Sequence, residues 1–269
     1  MTDSCDRKGL LVVSFGTSHA ATRPRTLEAV EGALESAFSD REFFRAWSSA
    51  MLRRKLEKEE GLHVDSVEEA LDRMASQGIW DVIVQPTHLL TGEEYTKAQR
   101  AAAAFRDRFG SLRMGMPLIS DEGDVEKLAR ILEQNYPAKR GEAVALMGHG
   151  SAGMAFSAYD MLAEQFRADG RDDILMGTVE FEPGIAPVLQ GIRERGPERV
   201  HLVPLLVVAG DHVLNDMAGD GPDSWKNLVE AEGAQAVCHL NGLGESEGIH
   251  EMYIEHARNA AQLAAEVEQ

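Results

Sequence analysis

Short apolar runs alternate with amphipathic stretches along nearly all of this 269-residue chain, and that alternation most constrains the fold. Ala143–Met147 contains no polar residue at all, and Leu10–Phe15 contains only Ser14. Such strands are buried on both faces, the condition of a parallel sheet covered by helices. The spacing predicts strands at Leu10–Phe15, Glu42–Trp47, Asp81–Pro86, Leu112–Met116, Ala143–Met147, Ile174–Val179, Val200–Leu206 and Ala236–Leu240. Helical patterns occupy the intervals, from Arg23–Phe38 through Glu94–Arg108, Glu122–Asn135 and Gly184–Arg195 to Gly248–Glu266. Ser66 followed by Glu69 reads as a capping box opening a helix at Val67.

Eight strands would suit a closed barrel, but the chain repeats once. Leu11-Val-Val-Ser-Phe-Gly-Thr-Ser18 parallels Val144-Ala-Leu-Met-Gly-His-Gly-Ser151, and Val82–Gly92 parallels Val200–Gly210 with related Pro and Gly positions. The expectation is therefore an α/β chain of two similar doubly wound parallel-sheet domains. Tyr136-Pro-Ala-Lys-Arg-Gly141 breaks the pattern, which puts the boundary near residue 138, with domains at 1–138 and 139–269. The last helix is expected to return to the first domain.

A formal net charge of −18 argues against nucleic acid as a partner, since phosphate neutralisation needs a basic footprint. No stretch approaches the ~18–20 consecutive apolar residues of a membrane helix, and the acidic N-terminus is unlike a secretory signal. With only Cys5 and Cys238, neither a disulfide framework nor a Cys-x-x-Cys metal site is expected. These features point to a cytoplasmic protein; self-association into a homo-oligomer is compatible with them.

Ligands of open α/β sheets collect beyond the C-terminal ends of the strands. Three such ends in the second half carry His149, Glu180 and His212, a donor set suited to a borderline divalent cation. His149 lies between Gly148 and Gly150, which leaves its ring accessible. Arg45, Arg53, Arg54 and Lys55 form the densest basic cluster of an acidic chain, suited to carboxylates, and His88 follows the third strand. A competing reading takes Gly148-His-Gly-Ser-Ala-Gly153 as a dinucleotide-binding loop for NAD, with Glu180 on the ribose. There is no GxxxxGK[ST] cradle for ATP and no GxSxG elbow.

At these residues the chain closely resembles the anaerobic cobalt chelatases of the CbiK type. The likeness is carried by Leu11–Ser18, Met51-Leu-Arg-Arg-Lys-Leu56, Gly92-Glu-Glu-Tyr95, Met147-Gly-His-Gly150, Leu206-Val-Val-Ala-Gly-Asp-His212, Asn215-Asp-Met217, Asp223-Ser-Trp-Lys226 and Gly242-Leu-Gly-Glu245. The resemblance implies a chelatase-type fold of two similar domains with the active cleft between them. It implies insertion of Co²⁺ into sirohydrochlorin without ATP or NAD, in anaerobic cobalamin synthesis, with Fe²⁺ or Ni²⁺ as alternative metals. The family's metal ligands fall on His149, Glu180 and His212; of these, His149, with its imidazole pKa of ~6.5 and small neighbours, is expected to accept a pyrrole proton and Glu180 to relay protons. Arg53, Arg54, Lys55 and His88 would bind the tetrapyrrole. A non-catalytic metal or tetrapyrrole carrier and an NAD-binding oxidoreductase remain as alternatives.

Overall fold

The computed structural model describes residues 7–150 and 158–263. In chain order the elements are β1 (Lys8–Ser14), α1 (Leu27–Ala37), β2 (Glu42–Trp47), α2 (Ala50–Glu60), α3 (Val67–Ser76), β3 (Asp81–Pro86), α4 (Glu93–Ala103), β4 (Ser111–Met114) and α5 (Glu122–Asn135). They continue as β5 (Glu142–Gly148), α6 (Ala158–Ala168), β6 (Ile174–Thr178), α7 (Ala186–Arg195), β7 (Arg199–Leu205), α8 (Trp225–Ala231), β8 (Gln235–Cys238), α9 (Glu247–Arg258) and β9 (Ala261–Gln262). A π-helical segment, His212–Met217, lies between β7 and α8.

The chain forms two compact units, residues 1–120 with 247–269, and residues 121–246. In the first unit the strand order is β2-β1-β3-β4-β9; in the second it is β6-β5-β7-β8. The first four strands of one sheet therefore repeat the order of the other, which gives the sequence repeat a structural counterpart. All pairings are parallel except that of β9, which runs antiparallel to β4.

Continuous apolar runs become central strands, as their composition requires. In β5 every residue from Ala143 to Gly148 is buried. Around it Leu175, Val188, Ile192, Leu202, Val213 and Trp225 close the core of the second unit. The first core gathers Leu11, Val13, Leu71, Met74, Val84 and Leu112. The capping box is present: Glu69 N donates to Ser66 Oγ at 3.1 Å, and Ser66 N donates to Glu69 Oε2 at 2.7 Å.

Two boundaries differ from expectation. The unit boundary falls after Ser120, not near residue 138, because α5 packs against α6 and belongs to the second sheet. The last helix ends at Arg258, not Glu266, and packs on α1 and β3. Beyond it, Ala261 and Gln262 pair with Met114 and Arg113 at the edge left open by β4. An open edge offers unpaired backbone groups, and here it overrides the helix propensity of the Ala-rich tail.

Candidate metal-binding site

The site is built on the second unit, at the C-terminal ends of its strands. The strand order reverses between β5 and β7, the position where such sheets leave a crevice. His149 follows β5, Glu180 follows β6, and His212 opens the π segment after the β7 loop.

Backbone contacts hold the first two side by side. Val179 N donates to Gly148 O at 2.9 Å and Glu180 N to His149 O at 3.0 Å, prolonging the parallel ladder past its last pair. Behind Glu180, Gly184 N donates to Thr178 Oγ1 at 3.0 Å, and the same hydroxyl donates to Phe181 O, folding the loop back on β6. The glycines beside His149 are both required by close approach. A Cβ on Gly148 would lie 2.5 Å from the Tyr159 ring. Gly150 has φ +90°, and a Cβ there would lie 3.0 Å from Phe181 Cβ. Gly150 N donates to Tyr159 Oη at 3.4 Å, resting the loop on α6. The remaining residues of the dinucleotide-like stretch, Ser151 to Gly153, lie outside the described residues.

The β7 loop is pinned from its other side. Leu243 N donates to Leu206 O at 2.8 Å and Gly244 N to Val207 O at 3.0 Å. A Cβ on Gly242 would lie 2.5 Å from Val207 O, so the Gly242-Leu-Gly-Glu245 motif serves close packing on the loop that leads to His212.

Hydrogen bonds fix both imidazoles in one tautomer. His149 Nδ1 lies 3.1 Å from Gly150 O, and His212 Nδ1 lies 2.7 Å from Asp216 Oδ2. Carbonyl and carboxylate oxygens only accept, so each Nδ1 donates, and in the neutral ring Nε2 is the nitrogen that presents a lone pair. The two rings meet edge to face with centroids 5.2 Å apart. Glu180 Oε1 lies 3.7 Å from His212 Nε2. With Nε2 unprotonated, the two acceptors at that spacing are matched by a cation held between them. Ligands about 2.1 Å from one tetrahedral ion stand roughly 3.4 Å apart, close to the distance found. Phe181 and Leu214 expose apolar side chains along the same rim.

The predicted substrate residues of the first unit fare differently. Arg54 and Lys55 are exposed on α2. Arg53 Nη1 donates to Glu69 Oε2 at 3.3 Å and, with Arg54, lines a cavity of about 170 Å³. Arg45 does not join this cluster: it lies on β2, and its Nε donates to Glu31 Oε2 at 2.7 Å. His88 is buried, with Nε2 3.2 Å from Ser48 Oγ and no partner for Nδ1. Burial pushes its pKa down to about 4, against a weaker upward pull from Glu94, so the ring is neutral. Burial pushes the Glu94 carboxyl up, but hydrogen bonds from Lys97 and Ser48 outweigh it and leave the group below the usual carboxylate range.

Among the described residues His63, Asp65 and Glu69 also bring ligand atoms within 4.8 Å of one another. Their carboxylates are already matched, Asp65 by Arg73 at 2.6 Å and Glu69 by Arg53 and the helix cap. Two guanidinium groups beside the trio disfavour another cation, and it reads as an ion-pair network. The sequence reading missed Asp216 and Ser48. Asp216 stands four residues after His212, a spacing that would have been informative had a helical turn been expected there.

The sequence profile of the family described as Cobalt chelatase (CbiK) matches residues 8–262. The chain is 40% identical over 261 residues to a sirohydrochlorin cobaltochelatase of Salmonella typhimurium, covering 97% of this chain and 98% of that protein. It is 33% identical over 256 residues to sirohydrochlorin cobaltochelatase CbiKC of Nitratidesulfovibrio vulgaris, covering 93% and 89%. The fold is similar to that of SirB from Bacillus subtilis with Fe³⁺, with a TM-score of 0.61, 14% identity, and coverage of 94% and 95%. A second similar structure is CbiX, the terminal enzyme of sirohaem biosynthesis in denitrifying bacteria, with a TM-score of 0.54, 18% identity, and coverage of 94% and 99%.

Proposed function

Because the chain belongs to the cobalt chelatase (CbiK) family, we propose that it inserts Co²⁺ into sirohydrochlorin without ATP, with His149, Glu180 and His212 carrying the reaction. The observation that carries this assignment is the 3.7 Å approach of Glu180 Oε1 to His212 Nε2, beside a second imidazole that also presents Nε2.

Co²⁺ is a substrate here, held by the two Nε2 lone pairs and the Glu180 carboxylate. An imidazole–carboxylate set suits a borderline first-row ion and leaves positions open for the incoming pyrrole nitrogens. Metallation exchanges one Co²⁺ for two pyrrole N–H protons, with no change of oxidation state. Each proton needs an acceptor as the nitrogen lone pair turns to the metal. His149 is the first acceptor, since its Nε2 becomes free when the ion passes to the macrocycle, and exposed Glu180 passes protons to solvent. Phe181, whose ring centroid lies 6.2 Å from that of His149, offers the macrocycle an apolar face. Arg53, Arg54 and Lys55 bind substrate carboxylates, Arg54 and Lys55 through their exposed positions on α2. His88 is buried against Ser48 Oγ, so it supports this part of the first unit rather than touching the tetrapyrrole. The chemistry needs neither a nucleotide cradle nor NAD. Among the described residues no helix is long and apolar enough to cross a membrane. A cytoplasmic location goes with this reading, as does the free thiol of Cys238.

The test is anaerobic absorbance of the protein with sirohydrochlorin and Co²⁺, without ATP, against a blank lacking protein. Conversion to the cobalt form faster than the blank is expected. A spectral shift on binding with metal entry only at the blank rate would instead identify a carrier. Fe²⁺ and Ni²⁺ under the same conditions rank the metals, with Co²⁺ expected first.

A further inference from the structure

The segment that presents His212 is irregular in a way that the ligand role alone does not require. Residues His212–Met217 form a π-helical turn, in which Ala218 N donates to Val213 O at 3.1 Å, five residues back. π turns are rare, and they concentrate where a side chain must be re-aimed for function. One turn on from His212, Asp216 lies on the same face of the segment. Asp216 Oδ2 thereby reaches His212 Nδ1 at 2.7 Å, a short charge-assisted hydrogen bond, although half of the Asp216 side chain is open to solvent. Val213 and Met217, on the same turn, are fully buried and anchor it in the core.

We propose that Asp216 is a positioning residue for the metal: its carboxylate holds His212 in the Nδ1–H tautomer and aims Nε2 at the ion shared with Glu180. The proposal rests on the ligand assignment made above. Without Asp216 the ring loses the acceptor that fixes both its tautomer and its rotation. A share of the population then carries the proton on Nε2, where it blocks coordination. Partners of this kind make a ligating imidazole more basic, and their loss weakens metal affinity by about ten- to a hundredfold. His149 obtains the same tautomer from the Gly150 carbonyl, so the two ligands are oriented by independent means.

The test compares wild type, Asp216→Ala and His212→Ala, using Co²⁺ alone as the probe. Two quantities are read: the Co²⁺ dissociation constant from the visible bands of the bound ion, and the His212 tautomer from imidazole ¹⁵N shifts of the metal-free protein. Asp216→Ala is expected to melt like wild type, to bind Co²⁺ about ten- to a hundredfold more weakly, and to shift His212 toward the Nε2–H form. A merely structural role would leave the tautomer in place. Wild-type affinity with an unchanged tautomer in Asp216→Ala, while His212→Ala binds weakly, would overturn the positioning role and leave the ligand assignment standing. Wild-type affinity in His212→Ala would overturn the ligand assignment and, with it, the role of Asp216.

Discussion

Replacing His88 by Phe should remove a component of acid sensitivity from the first unit. The ring is buried and its pKa is pushed down to about 4, whereas an imidazole in an unfolded chain titrates near 6.5. Between those values the unfolded state binds a proton that the folded state refuses. Unfolding is then favoured as pH falls, beginning near 6.5 and complete below 4. At about 1.36 kcal/mol per pKa unit the full effect is roughly 3 kcal/mol, of which about 2 kcal/mol has appeared by pH 5. Glu31 works in the opposite direction over much of the same range. Burial raises its carboxyl to about 7 against the pull of Arg45, so the folded state takes up a proton first and gains stability as pH falls. The wild-type curve alone therefore shows little. The difference between wild type and His88→Phe isolates the imidazole, because Glu31 is common to both. Urea unfolding free energies at pH 7.5 and pH 5, followed by circular dichroism, should show wild type losing about 2 kcal/mol relative to the variant. A difference that stays constant across that range would refute the claim that His88 is neutral because it is buried.

Gly150→Ala would put an L-residue at φ +90° and a Cβ 3.0 Å from Phe181. A cost of about 1–2 kcal/mol by thermal melting and displacement of His149 are expected, with slower insertion in a protein that still folds. Replacing Arg54 and Lys55 together by Ala should raise KM for sirohydrochlorin several-fold with kcat nearly unchanged, the signature of lost uniform binding. The same pair should account for part of the salt dependence of KM in wild type. Ser66→Ala removes the acceptor for Glu69 N and should lower stability by about 1 kcal/mol in chemical denaturation, without effect on Co²⁺ binding.

The buried strands were legible because Ala143–Met147 and its counterparts satisfy only one environment, covered on both faces. That condition also made the strand ends legible, and with them the positions of His149 after β5 and Glu180 after β6. The position of His212 after β7 was also legible, yet the turn it opens was not. A π segment has no 3.6-residue periodicity to read, and Asp216 stood only inside the Asn215-Asp-Met217 motif, with no role assigned to it. Arg45 was misplaced because its charge resembles that of its neighbours, while its partner, Glu31, sits on a helix that only folding brings near. The break at Tyr136–Gly141 reads as a linker by composition. What assigns α5 to the second unit is its packing on α6, a contact that composition does not encode.

The most direct test of the central claim is the initial rate of Co²⁺ insertion into sirohydrochlorin by wild type, His149→Ala and His212→Ala, each first shown to be folded. The proposed ligand set predicts a fall of at least about a hundredfold in each variant, since each would lose one of the two imidazoles assigned to the ion. Wild-type rates in either variant would contradict it.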